Sequence, residues 1–346
     1  MKKSLSILAR CLCLALAAWL IWRLVHRADQ DVLSSFRQCL ASPQGITAIA
    51  LYFIVQLLGA WRWQLLLSAP GMPIPYLQCL RLTLGGDFFS LVIPGGISGD
   101  IIKVGAATAI HPGKAAELTL VDLLDRAIGL AGLFGAGGLA VLFLHRLLLA
   151  QEASAPTLTF AVVVVFSGLI CALTGYLLWA KWPTLKTRAG IPKITALLSR
   201  MTPDFGKRLF GRFGDALSLY RERRAVLWET FGISVAIHLL LGVEFFFLGK
   251  ALHESQMTLP QYLLTTQLAN ASAILPITPG GLGIRDTIAE VLFQNFGAEP
   301  AVVATTIPLL YSAILVFWGL VGAIAFAIIP PPKTISLPET QQGIPK

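Results

Sequence analysis

Long apolar runs separated by short polar segments organise the chain. A hydrocarbon layer about 30 Å thick takes about 20 helical residues to cross, and six runs reach that length: residues 5–24, 46–67, 115–144, 158–179, 226–248 and 301–329. Two further apolar stretches are cut midway by proline and glycine, which no continuous helix absorbs. The first runs from Tyr76 through Asp87 to Ile93, breaks at Pro94-Gly95-Gly96-Ile97-Ser98-Gly99 and resumes at Asp100. The second runs from Leu259 past Asn270 to Leu275, breaks at Pro276-Ile277-Thr278-Pro279-Gly280-Gly281-Leu282-Gly283 and resumes at Ile284. The pattern predicts an all-α integral membrane protein of about six full spans plus two re-entrant broken-helix hairpins.

Order along the chain predicts a repeat. Each half reads as span, span, broken hairpin, span, and the halves start from opposite sides of the membrane, so the topology is that of an inverted repeat, as in transporters whose site lies between paired broken helices. Residues 1–150 form the first repeat, with its hairpin near 76–110. Residues 151–180 open the second, 181–225 form a basic loop, 226–330 complete the repeat with a hairpin near 259–298, and 331–346 form a tail. Arg10 inside the first run, with no clean small-residue cleavage site, favours a retained anchor over a signal peptide.

Composition agrees. Of 346 residues 55% are hydrophobic and 13% charged, and the mean hydropathy is +0.73, whereas soluble domains carry about a quarter charged residues. Soluble enzymes, secreted disulfide scaffolds and disordered chains are excluded. The net charge of +9 would suit nucleic acid, but its distribution argues otherwise. About eleven of the 27 Lys and Arg lie between Lys181 and Arg224, marking a cytoplasmic loop. Both termini then also lie in the cytoplasm, on an inner-membrane multi-pass protein. Within the loop Phe205, Leu209, Phe213, Ala216 and Tyr220 recur at helical spacing, consistent with a helix on an anionic leaflet or with a solvated basic loop.

The breaks carry the chemistry. An interrupted helix exposes unpaired N–H groups and the positive end of a half-helix dipole, so two facing breaks prefer an anion. Pro94, Gly95, Gly96 and Gly99, with Pro279, Gly280, Gly281 and Gly283, are the candidate headgroup cradle. Lys103, Arg126 and Arg285 are placed to attract lipid phosphate. Asp100 and Asp286 stand in first turns, where the dipole favours an acid for capping alone. In the run at 115–144, Asp122 and Arg126 at i and i+4 suit a mutual ion pair or a binding role. Glu244 is another intramembrane acid, and Arg62 at a span end suits snorkelling to headgroups or, with Asn270, a place among the substrate-binding residues, while Asp100, Asp122, Asp125 and Asp286 would pair with the cations or carry coupling protons.

Enzyme templates largely fail: the chain has no GxSxG, HExxH, Walker loop or strand-borne GxGxxG. The best fragment is Asp122-x-x-Asp125, which would suit Mg²⁺ held against a diphosphate in a prenyl- or phosphotransferase. Five scattered histidines and five cysteines offer no metal spacing. No enzyme, metal or cofactor is expected.

The combination of Arg62-Trp63, Pro94-Gly95-Gly96 with Gly99-Asp100 and Lys103, Asp125-Arg126-Ala127-Ile128-Gly129-Leu130, Pro276, and Pro279-Gly280-Gly281-Leu282-Gly283 resembles the lysylphosphatidylglycerol synthase transmembrane-region family. That family includes the flippase domain of multiple peptide resistance factor proteins. The resemblance covers about residues 5–329. It implies a flippase-like domain handling anionic or modified phospholipids, or isoprenoid-type lipids, rather than making them. With the chain ending at Lys346 no soluble aminoacyl-transfer domain is expected, and lysyl transfer is not assigned. Lys103 stands where the family usually has Arg and Asp286 where it has Glu, so charge is kept but Lys103 lacks a bidentate fork. The expected partners are membrane lipids with anionic headgroups, and the alternative is an accessory subunit that holds a lipid-modifying enzyme through the basic loop.

Overall fold

A computed structural model describes residues 30–93, 98–148, 155–186, 218, 220–273, 278–299 and 301–328. The first apolar run and the amphipathic repeat from Phe205 to Ala216 lie outside the described residues. Among the described residues the chain is helical throughout, with no strand. In chain order the helices are α1 (Gln30–Ala41), α2 (Pro43–Ser68), α3 (Tyr76–Val92), α4 (Ser98–Ile110), α5 (Ala115–Leu148), α6 (Ala155–Lys186), α7 (Arg224–Ala251), α8 (Leu259–Ser272), α9 (Ile284–Asn295) and α10 (Ala301–Ile328). A short 3₁₀ turn, Pro279–Gly281, precedes α9.

Five helical segments are long and apolar enough to cross a membrane: Pro43–Ser68, Ala115–Leu144, Thr159–Lys181, Arg224–Ala251 and Val302–Ile328. They coincide with five of the six runs read from the sequence. The helix starts follow local chemistry. Ser42 caps α2 by accepting from the Gly45 amide at 3.0 Å, and Pro43 stands where its missing N–H costs nothing. The turn between α7 and α8 is built on the buried Glu254 carboxylate, which accepts from the amides of Gln256 and Met257 and from the Tyr262 hydroxyl.

Helices α2 and α7 pack along each other at the centre. They run antiparallel, since Gln38 just before α2 reaches Ala251 at the end of α7, Arg62 reaches Ser234, and Tyr220 just before α7 donates to the Leu66 carbonyl at the end of α2. Around this seam α3 packs on α10 and α8 packs on α5, while α3 also meets α2 and α8 meets α7. Close approach depends on small residues, as expected where apolar solvent supplies no drive for helix association. A Cβ at Gly322 of α10 would strike the Leu84 carbonyl of α3, and one at Gly132 of α5 would strike Ser234 of α7. Helix α6 is peripheral: it lies against α5 and only 11% of its spanning window is buried.

Tyr220, grouped by its spacing with a membrane-surface face, is instead fully buried, its hydroxyl 2.7 Å from the Leu66 carbonyl. A phenol that finds a backbone acceptor within a core of Trp63, Leu66, Leu67 and Val121 gains more there than at a headgroup.

Candidate functional site

Charged side chains from α2, α4 and α5 converge beside the seam. Arg62 of α2 donates from Nε to Asp125 Oδ1 at 2.8 Å and from Nη2 to Oδ2 at 3.1 Å, a bidentate fork. Its remaining arm donates to the Ser234 hydroxyl of α7. Lys103 of α4 holds Asp122 at 2.7 Å and lies 3.9 Å from Asp125, with its ammonium 4.6 Å from the centre of the Trp63 ring. The four charged side chains are 7 to 12% exposed. Arg126, one position beyond Asp125, turns outward and pairs with Asp100. Asp87 of α3 accepts from Gln56 of α2 and lies within electrostatic reach of Lys103 and Asp100.

Two sequence expectations change here. Arg62 does not snorkel: an acceptor pair inside the bundle competes successfully with distant headgroups, because a desolvated bidentate pair is far stronger than a hydrated one. Asp122 and Arg126, four residues apart, take partners on α4 instead, Lys103 and Asp100, because α4 packs against that face of α5. Asp100 therefore does more than complement a helix dipole.

The break regions are tied to their helices. Pro94, Gly95, Gly96 and Pro276 lie outside the described residues. Ser98, first in α4, donates to the carbonyls of Phe89 and Ile93 at the end of α3. Gly99 lies so close to α3 that a Cβ would strike the Gly86 carbonyl and the Ser90 hydroxyl. In the second break Gly280, Gly281 and Gly283 have φ of 58°, 73° and 90°, the left-handed region that glycine alone enters at no cost. The 3₁₀ turn rests on α3, where a Cβ on Gly280 would lie 2.8 Å from a Leu91 methyl. The two interrupted hairpins thus meet where α3 ends, beside the first break. Asn270, near the end of α8, is half-buried and its carbonyl accepts from the Ala273 amide.

Asp286 caps α9 by accepting from the Gly283 amide at 3.0 Å, so an anion docking at this turn competes with a carboxylate. Its other oxygen accepts from Ser312 of α10 at 2.7 Å, and Arg285 donates to the same hydroxyl oxygen at 2.6 Å. Arg285 is 3% exposed and lies 4.6 Å from the centre of the Tyr311 ring. Arg285 and Asp286 thus belong to a second cluster with Ser312, Tyr311, Tyr52 and Glu244, and Asp87 lies within electrostatic reach of both clusters.

Sequence reasoning missed Ser234, Ser312, Gln56 and Tyr311, whose roles depend on helix neighbours. Glu244 stood out as an intramembrane acid but was not placed in the site, and Asp87 was passed over as part of the first broken stretch. Among the described residues no group of three or more His, Cys, Asp or Glu gathers to hold a metal ion, and Asp122 and Asp125 are committed to cationic side chains.

The model of a family described as the lysylphosphatidylglycerol synthase TM region matches residues 10–328. No curated protein matches the chain.

Proposed function

Since the chain belongs to the lysylphosphatidylglycerol synthase transmembrane-region family, a multi-pass membrane family with a lipid-related role, we propose that it moves anionic or modified phospholipids, or isoprenoid-type lipids, between leaflets. The observation that carries this reading is the buried set of Arg62, Lys103, Asp122 and Asp125, brought together by three helices. Charges are costly at membrane depth and are retained where they line a pathway or bind a ligand. A lipid phosphate entering beside Lys103 and Arg126 would exchange with the aspartates for these cations.

The packing supports an inverted repeat. Pairing α2 with α7, α3 with α8, α4 with α9 and α5 with α10 turns the contact of α3 with α10 into that of α8 with α5, and the contact of α2 with α3 into that of α7 with α8. The antiparallel seam fits a two-fold axis lying in the membrane plane. On this reading Gly99, Asp100 and Lys103 face the pathway from one hairpin, and Gly280, Gly281, Gly283, Arg285 and Asp286 from the other. The basic loop and both termini then lie on the cytoplasmic side of the inner membrane.

The test uses purified protein in liposomes with fluorescent anionic and zwitterionic phospholipids, with dithionite quenching of the outer leaflet. Wild type should expose protected lipid, and Lys103→Gln should slow this by about tenfold or more, the equivalent of one lost charge-assisted contact. Identical traces for empty and protein-bearing liposomes with every lipid would refute transport and favour the accessory role.

A further inference from the structure

Glu244 lies in the last third of α7, is fully buried, and neither carboxyl oxygen has a hydrogen-bond partner among the described residues. Acids elsewhere in the described bundle behave differently. Asp125 and Asp122 hold cations, Asp286 caps a helix and bonds Ser312, and Glu254 accepts three hydrogen bonds. A carboxylate stripped of water and of donors is the costliest form the side chain can take, whereas the neutral acid is tolerated.

The neighbourhood supplies a latent partner. The titratable groups within electrostatic reach of Glu244 are Tyr52 from α2, Tyr311 from α10, and Arg285 from α9, and the Tyr311 ring lies 4.7 Å from that of the adjoining Phe245 and 4.6 Å from the Arg285 guanidinium. Asp286 of α9 and Asp87 of α3 act on the same tyrosines' surroundings. Helix α8, packed along α7, offers Tyr262, whose hydroxyl is committed to Glu254. The α5 carboxylates Asp122 and Asp125 are held by Lys103 and Arg62, and Glu117 by Lys114. Arg285 is the cation in this set, and its Nε is buried with no hydrogen-bond partner among the described residues. An unused guanidinium donor and an unused carboxyl therefore share one buried cluster.

We propose that Glu244 is a proton-binding site whose occupancy is read by Arg285 and passed to the second hairpin. With the O–H bond intact, Arg285 stays with Ser312 and Asp286, and Asp286 caps the Gly283 amide. When the proton leaves to water on one side of the membrane, the Glu244 carboxylate draws the Arg285 guanidinium, which keeps its own charge throughout. Asp286 and Ser312 then lose a donor and the start of α9 is released. A proton from the opposite side re-forms the O–H bond and resets the cluster. This couples the lipid movement proposed above, on which it rests, to a proton gradient.

The experiment has two arms. In protein reconstituted in lipid, infrared difference spectroscopy should show a protonated carboxyl C=O band that shifts in D₂O, persists in Glu229→Gln and is absent in Glu244→Gln. In liposomes, an imposed pH gradient should bias lipid distribution in wild type and in Glu244→Asp, and not in Glu244→Gln. Survival of the band in Glu244→Gln overturns the protonated carboxyl. An equal gradient response in wild type and Glu244→Gln, or a response to a Na⁺ gradient alone, overturns the coupling. Lipid immobile in every sample, with the band lost only in Glu244→Gln, refutes the transport reading and the coupling with it, while the proton site stands.

Discussion

Removing Arg62 leaves Asp125 charged and stripped of its fork inside the bundle. Breaking a buried pair on one side costs about 3 to 5 kcal/mol, so Arg62→Ala should melt well below wild type in detergent. Arg62→Lys should fall between them, because an ammonium supplies charge without the two parallel donors. The double variant with Asp125→Ala should lose less than the sum of the two single changes, since no orphan charge remains. Additive losses would show that the fork seen between α2 and α5 does not couple these residues. Gly99→Ala tests a different term. Its methyl meets the Gly86 carbonyl and Ser90, and overpacking of this kind costs about 1 to 3 kcal/mol, readable as a lower Tm. At this scale the sequence announced which residues were costly to bury but not whom they join. Asp125 is 63 positions from Arg62, and local spacing offered Arg126 to Asp122 because four residues along a helix is the nearest pairing a linear reading sees.

At the scale of elements, the second break depends on two devices, left-handed glycines and the Asp286 cap. Asp286→Ala removes the acceptor for the Gly283 amide and a partner of Ser312 and the buried Arg285. A lost cap alone costs about 0.5 to 2 kcal/mol, and the orphaned guanidinium adds to it. Asp286→Asn keeps an oxygen for the cap and should recover part of the loss in thermal unfolding. If both variants melt with wild type, the start of α9 is held by packing against α10 instead. The elements themselves were legible. Run length gave the spans and proline with glycine gave the interruptions, since both are backbone requirements that local sequence must meet. Ser98 opening α4 two residues before the expected restart reflects a hydroxyl that bonds back to α3, a contact made only once the chain has turned.

Across the whole molecule, the contacts of α3 with α10 and of α5 with α8 can be trapped chemically. A Cβ on Gly85 would lie 3.4 Å from that of Phe326, joining α3 to α10, and one on Gly137 would lie 3.6 Å from that of Gln267, joining α5 to α8. Both distances suit or nearly suit a disulfide. In a cysteine-free background, Gly85→Cys with Phe326→Cys and Gly137→Cys with Gln267→Cys should cross-link in membranes under mild oxidation. Each bridge should arrest lipid exposure until a reductant is added. Bridges that form yet leave the rate unchanged would exclude movement of the hairpins against the opposite half. The alternation of long spans and interrupted stretches was readable from the sequence, but not that α3 leans on α10 and α8 on α5, because neighbours across the bundle leave no periodic trace.

The seam of α2 and α7 has a consequence for any such movement. On the two-fold exchange proposed above α2 and α7 swap places with each other, so the seam between them would serve as a bearing while the outer elements swing about it. Probes bridging it would hold a constant separation through a full cycle, giving an internal ruler against which displacement of either hairpin can be calibrated.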